Sequence, residues 1–319
     1  MKGSLALKAD LHSPAQRHAA SALWQRRLDL EQHWGLHGGA EDRFRNAHAK
    51  WSTLTIRTIL QVLGLYEKGL ANARRPILRH LDLRFPELPA ALNGFRILHL
   101  SDFHFSRTDT AFVDAVAALL AGVEADVCCI TGDFRFGHFG PVDHVETMLQ
   151  RALAGVTSPL GHYAILGNHD VSTMLPHLAR AGVEVLVNGG VALEHGGSTV
   201  WIGGVDDPHR FKCAGFEAAF EGAAEAQFRI ALVHTPECIA SAWRHGADLY
   251  LCGHTHGGQI CLPWLGAIHT NARCPKQYRK GVWNWEGMQG HTTPGLGATD
   301  VRVRFNCPPE AALITLQGS

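Results

Sequence analysis

Four short apolar runs, at residues 96–100, 126–131, 162–166 and 249–251, each stop at a small cluster of aspartate, asparagine, histidine and glycine. Runs of this length bounded by turn residues read as buried strands. The clusters therefore fall on loops at the strands' carboxyl ends. The first three runs alternate with apolar-periodic stretches at 110–124, 142–154 and 173–181, which read as helices. Strand alternating with helix predicts an α/β sandwich built on βαβ units. After residue 184 the alternation weakens. Further strand-like runs at 185–187, 191–194, 199–203 and 230–233 call for a second sheet packed on the first.

The clusters are Ser101-Asp102-Phe103-His104, Thr131-Gly132-Asp133, Gly167-Asn168-His169-Asp170 and Gly253-His254-Thr255-His256-Gly257, joined by His234 at the end of 230–233. Asp102 and His104 are two apart, so on extended backbone they point to one side and can grip one ion together. Gly132 allows a sharp turn before Asp133, whose two carboxylate oxygens can bridge two ions. Asn168 adds a neutral oxygen. His254 and His256, flanked by glycines, can reach different ions. These nitrogen and oxygen donors suffice for two divalent cations. Mixed ligation suits Mn²⁺, Fe or Zn²⁺ better than Mg²⁺ or Ca²⁺, which prefer all-oxygen shells.

The five blocks resemble the calcineurin-like metallophosphoesterase family, whose pattern is D-x-H, G-D, G-N-H-[DE], H and G-H-x-H, over about residues 94–316. The resemblance implies a four-layer α/β sandwich, two mixed sheets flanked by helices. It implies one ion on Asp102, His104, Asp133 and His256, and a second on Asp133, Asn168, His234 and His254. It also implies His169 beside the leaving group, as general acid or transition-state stabiliser, with Asp170 orienting it. Gly253-His254-Thr255-His256-Gly257-Gly258-Gln259, Gly295-Leu296-Gly297 and Arg304-Phe305-Asn306-Cys307-Pro308-Pro309-Glu310 are similar to a subgroup of bacterial phosphodiesterases and chlamydial-type UDP-2,3-diacylglucosamine pyrophosphatases. The expected reaction is hydrolysis of a phosphodiester or pyrophosphate bond by hydroxide activated between two metals. Phosphorylated small molecules or lipid-linked substrates such as UDP-2,3-diacylglucosamine are implied. The alternatives are a phosphomonoesterase or a non-catalytic scaffold, and scaffold relatives usually lose ligands that this chain keeps. Many relatives carry a second acid just after the G-D block, where this chain has Phe134-Arg135-Phe136. Arg135 is open to two roles, substrate-phosphate binding or structural counter-ion. His209, in a loop near the expected rim, is open to substrate contact or plain solvation.

The N-terminal third differs in character. Residues 1–90 carry 14 Lys/Arg against 8 Asp/Glu, so the balanced whole conceals an acidic remainder. They are expected to form a basic helical arm ahead of a phosphoesterase domain at 91–319. Residues 14–50 look helical and polar, with Trp24, Leu28, Leu30 and Trp34 on a loose stripe, and 52–66 form a second, apolar helix followed by Lys68, Arg74, Arg75 and Arg79. That helix either docks on the body or rests on an anionic membrane through residues 52–80. The acidic body argues against a nucleic-acid partner. Eight cysteines without CxxC spacing, no apolar leader and no run of 18 apolar residues predict a cytoplasmic protein, peripheral on the inner membrane face at most.

Overall fold

The computed structural model describes residues 21–36, 47–267 and 270–318. The parts of the expected arm at 1–20 and 37–46 lie outside the described residues. Helix α1 (Ala22–His33) is capped by the Ser21 hydroxyl, which accepts from the Trp24 N–H. Helices α2 (Ala47–Val62) and α3 (Tyr66–Ala73) follow.

Two mixed six-stranded sheets form the body. In the first, strands β2 (Arg96–Leu100), β3 (Val127–Ile130), β4 (His162–Ala164) and β5 (Glu184–Val185) run parallel. The C-terminal strand β14 (Glu310–Gln317) pairs antiparallel with β2, and β1 (Ile77–Arg84) pairs parallel with β14 over its full length. Residues 77–84, inside the stretch expected to be a helical arm, are thus an edge strand. The second sheet has β6 (Gly189–His195), β7 (Ser198–Gly204), β8 (Phe228–Leu232), β9 (Leu249–Cys252), β13 (Met288–Thr292) and β12 (Gly281–Trp285), with β7, β8, β9 and β13 parallel.

The period-2 alternation of the strands builds three apolar layers. Ile97, Val127 and Cys129 point between the sheets, where they meet Ile202, Ile230, Leu232 and Leu251. Leu98, Leu100, Cys128 and Ile130 point the other way. Helices α4 (Thr110–Leu120), α5 (His144–Leu153) and α6 (Leu175–Arg180) cover them, along with part of α1. The outer face of the second sheet packs under the short helices α7 (Phe216–Ala219) and α8 (Ile239–Arg244) through Trp201, Tyr250 and Trp283. The four layers expected are present. All eight cysteines are free. Among the described residues, no helix is long and apolar enough to cross a membrane.

Candidate active site

Because β2, β3 and β4 are parallel, their carboxyl ends share one edge, and β8 and β9 share the matching edge of the second sheet. In open α/β sheets such edges are where ligands bind. Asp102 and His104 leave β2, Asp133 follows β3, Asn168–Asp170 follow β4, His234 ends β8, and His254 and His256 leave β9. Two hydrogen bonds lock the edges together. The His254 N–H donates to the Asp102 carboxylate at 3.0 Å, and His234 Nδ1 donates to the Thr131 carbonyl at 2.7 Å.

Asp102, His104, Asp133, His254 and His256 all have positive φ, between 46° and 67°. That left-handed region costs a non-glycine residue on the order of 1–3 kcal/mol and persists where surroundings over-determine it, most often at functional sites. Gly253 meets a different constraint: a Cβ there would strike the Asp102 carboxylate and the Ser101 hydroxyl.

Three groups of donor atoms converge: Asp102, His104 and His256; His104, Asp133 and His169; and Asp133, His234 and His254. Asp133 Oδ2 lies 3.3 Å from His234 Nε2 and 3.5 Å from His104 Nε2. Asp102 Oδ1 lies 3.4 Å from His256 Nε2, and Asn168 Oδ1 lies 3.0 Å from His234 Nε2. Burial pushes the His254 imidazole down to about 3, holds His169 and His256 well below the ordinary histidine range, and raises the Asp102 carboxyl. Burial would also raise Asp133, but the surrounding His234 and His169 imidazoles outweigh it and hold that carboxyl well down. Burial would lower His234, yet Asp133 and Asp102 push it up to about 10.

These donors fit divalent cations on a simple chemical test. His104 Nδ1, His234 Nδ1 and His254 Nε2 donate to the backbone carbonyls of Arg135, Thr131 and Asn271. A carbonyl can only accept, so one nitrogen of each ring is committed to it and the other is the one turned to the cluster, the arrangement that orients metal-binding histidines. His104 Nε2 and His256 Nε2 face each other at 3.0 Å among carboxylates, a contact that a shared cation would explain.

The calcineurin-like phosphoesterase profile matches residues 95–258, which include every one of these donors. The chain belongs to this family. It is a hydrolase acting on phosphoester bonds. The phosphodiesterase YaeI of Escherichia coli is 30% identical over 70% of this chain and 82% of its own length. The metallophosphoesterase YkuE of Bacillus subtilis is 29% identical over 73% and 82%. The UDP-2,3-diacylglucosamine pyrophosphatase LpxG of Chlamydia trachomatis is 26% identical over 73% and 87%.

Within this phosphoesterase several residues stand differently from their expected roles. Asp170 does not orient the His169 ring. Its Oδ2 accepts the Gly167 and Asp133 N–H groups and its Oδ1 accepts that of Phe134, so it shapes the loops that carry Asp133 and His169. The His169 ring is held instead by Nδ1, which donates to the Gly137 carbonyl at 3.1 Å, and by His138 stacked at 3.8 Å. Arg135 has the contacts of the structural alternative. Its guanidinium is buried and donates to the carbonyls of His169, His138 and Gly140. His209 lies beside His254, ring centroids 4.3 Å apart, with Nδ1 3.0 Å from Glu237.

Other contributors escaped the sequence reading. Arg304 is fully buried, donates to the Pro294 and Gly297 carbonyls, and reaches His256 Nδ1 at 3.4 Å. The tail motif containing Arg304 was visible, but its contact with His256 was not. Arg27 and Glu31, on α1, are buried behind the His169 loop. Their spacing of four, on one face with Trp24, was the available signal.

Proposed function

We propose that this phosphoesterase hydrolyses a phosphodiester or pyrophosphate bond with two divalent cations seated at the strand ends. One would be held by Asp102, His104, Asp133 and His256, the other by Asp133, Asn168, His234 and His254. The observation that carries this reading is Asp133, whose carboxylate stands between donors from both sheets. Bound there, such cations supply Lewis-acid polarisation of phosphoryl oxygens and make water a stronger acid. Nitrogen-rich donor sets favour Mn²⁺, Fe or Zn²⁺.

The chain's own residues do the rest. His169 Nδ1 is committed to the Gly137 carbonyl, so Nε2 is the nitrogen that can hold a proton for a leaving oxygen. Stacking on His138 and the grip of Arg135 on the His169 carbonyl fix that ring. His209, beside His254, is the rim residue that meets substrate in this reading. The names of YaeI and LpxG favour a diester or anhydride over a monoester, and LpxG directs attention to lipid-linked substrates. Peripheral contact with an anionic membrane through residues 52–80 belongs to the same reading. It is supported by the exposed Leu54, Ile56, Ile59 and Val62 of α2. Eight free thiols suit a reducing cytoplasm.

The test is hydrolysis of bis(p-nitrophenyl) phosphate, UDP-2,3-diacylglucosamine and p-nitrophenyl phosphate by protein loaded with Mn²⁺, Fe²⁺ or Zn²⁺. Turnover of the first two is expected, with His169→Ala much slower. Efficient cleavage of the monoester alone would reject the diester reading. Wild type as inert as the variant with every metal would reject catalysis.

A further inference from the structure

Among the described residues, the two most exposed large apolar side chains outside α2, Trp264 and Leu265, sit on one hairpin, β10 (Cys261–Leu262) with β11 (Gly266–Ala267). Trp264 at its tip is fully exposed, Leu265 is 75% exposed and Leu262 is 45% exposed. This hairpin directly follows the loop carrying His254 and His256, so it stands on the rim of the site.

The hairpin and the apolar helices share an anchor. On one side the Cys261 N–H donates to the Phe305 carbonyl at 2.9 Å, and Asn306 Nδ2 donates back to the Cys261 carbonyl at 2.7 Å. On the other side the Arg304 N–H donates to the Gly69 carbonyl of α3 at 3.0 Å, and Asn72 Nδ2 donates to the Arg304 carbonyl at 3.0 Å. Residues 304–306 therefore tie the hairpin to α3, and α2 continues into α3 through a short turn carrying the exposed Leu63 and Leu65. Between α3 and residues 297–302 a cavity lined by Leu70, Arg74 and Arg302 reaches His104.

The sequence segments that carry both elements are cationic. Residues 249–285 contain Arg273, Lys276, Arg279 and Lys280 and not one Asp or Glu. Residues 47–80 contain six Lys or Arg and only Glu67. Arg74 and Arg79 pair with Asp109 and Glu310, so the cationic excess in sequence rests on Lys50, Arg57, Lys68 and Arg75 in the helical segment and on the four cations that follow the hairpin. Exposed apolar side chains with cations close in sequence, one element tipped by tryptophan, have the chemistry of an interfacial membrane contact. Helix α2, 16 residues and so about 24 Å long, is too short to cross a hydrocarbon layer of about 30 Å.

We propose that the hairpin tip, Leu262 to Leu265, inserts into the surface of an anionic phospholipid bilayer together with α2. This rests on the membrane contact in the proposed function and adds a second point, which fixes how the protein sits. Two contacts on either side of residues 304–306 turn the strand-end site toward the headgroup layer. The bond cleaved is then one displayed in that layer by a lipid-anchored phosphoester or anhydride.

The test is flotation of full-length protein with phosphatidylcholine vesicles, with and without phosphatidylglycerol. Two variants are compared, Leu262→Ser/Trp264→Ser/Leu265→Ser and Ile59→Ser/Val62→Ser/Leu63→Ser. Wild type is expected to float with the anionic vesicles only, less so as salt rises. The hairpin variant should bind at least about tenfold more weakly, the loss expected when even one apolar side chain leaves the acyl boundary. Its hydrolysis of soluble bis(p-nitrophenyl) phosphate should match wild type, which separates lost docking from lost folding. A hairpin variant that floats like wild type overturns the proposal even if the helix variant does not float. Wild type that stays in solution, or a dimer dispersed by the hairpin substitutions, overturns it in favour of no partner or a second copy. Flotation as expected without hydrolysis would leave the surface standing and reject the proposed function instead.

Discussion

Arg27 Nη2 donates to the main-chain carbonyl of Asp170 at 2.7 Å, across 143 residues of sequence. The same guanidinium bonds Glu31 through Nε and Asp206 through Nη1, and it lies 3.5 Å over the Phe211 ring. Glu31 in turn accepts the Ser172 N–H. Helix α1 thus braces the His169 loop and the 206–211 loop from behind, at a point where no water reaches.

Arg27→Met should be costly in proportion to the charges it abandons. Glu31 and Asp206 would remain buried without their cation, and breaking a buried pair this way costs about 3–5 kcal/mol. Urea denaturation should show the unfolding free energy falling by that amount, with a lower midpoint. The triple change Arg27→Met/Glu31→Gln/Asp206→Asn should recover much of it, because no stranded charge remains. Equal losses in both variants would show that packing, not charge pairing, holds α1 in place.

Gly253→Ala addresses the close approach of β9's exit to Asp102. The added methyl must displace the Asp102 carboxylate or the Ser101 hydroxyl. Misplacement of a reacting constellation by about 1 Å costs on the order of a hundredfold in rate. We expect kcat/KM on bis(p-nitrophenyl) phosphate to fall by that factor while the protein stays folded. Activity near wild type would mean that the Asp102 carboxylate has room to move.

Sequence patterns made the four donor-bearing loops legible because each follows a short apolar run bounded by turn residues. Strand β2 was bounded at Arg96 and Leu100, where it stands in the fold. The edges were illegible for identifiable reasons. Strand β1, Ile-Leu-Arg-His-Leu-Asp-Leu-Arg, is too charged to read as strand because its outer face meets solvent. Strand β14, Glu-Ala-Ala-Leu-Ile-Thr-Leu-Gln, has the composition of a helix, and only pairing with β1 and β2 makes it extended. In the site, residue types identified the convergent donors, whereas the duties of Asp170 and Arg135 depended on which backbone groups fold against them.

The pair His99 and His291 gives the stability a pH dependence. His99 Nδ1 lies 2.9 Å from His291 Nδ1 between the sheets, and both are fully buried. Burial holds His99 well below the ordinary range and pushes His291 down to about 3. The unfolded chain takes up these protons below about pH 6.5. Stability from the pair is therefore complete above that pH and is lost as pH falls below it, by up to about 1.4 kcal/mol per pH unit for each group. Denaturation at pH 7.5 and 5.5 should show a smaller drop for His99→Gln/His291→Gln than for wild type. Parallel drops would place the acid sensitivity elsewhere.

Chelation tests the metal reading without any substrate. Asp102 and Asp133 are buried together, with His234 left to offset their charge when no cation is bound. A cation that binds only the folded state stabilises it by about 4 kcal/mol at a thousandfold excess over its dissociation constant. Protein stripped with EDTA should therefore melt several degrees lower and recover when Mn²⁺ or Zn²⁺ is restored. Asp133→Asn removes the carboxylate that serves both proposed positions, so most of the metal-dependent shift should vanish with it. Asn168→Ala removes a donor from one position only and should leave part of the shift. A wild type whose melting ignores both chelator and added metal would remove the cations from this site. Full stabilisation of Asp133→Asn would leave them bound but deny that carboxylate its bridging place.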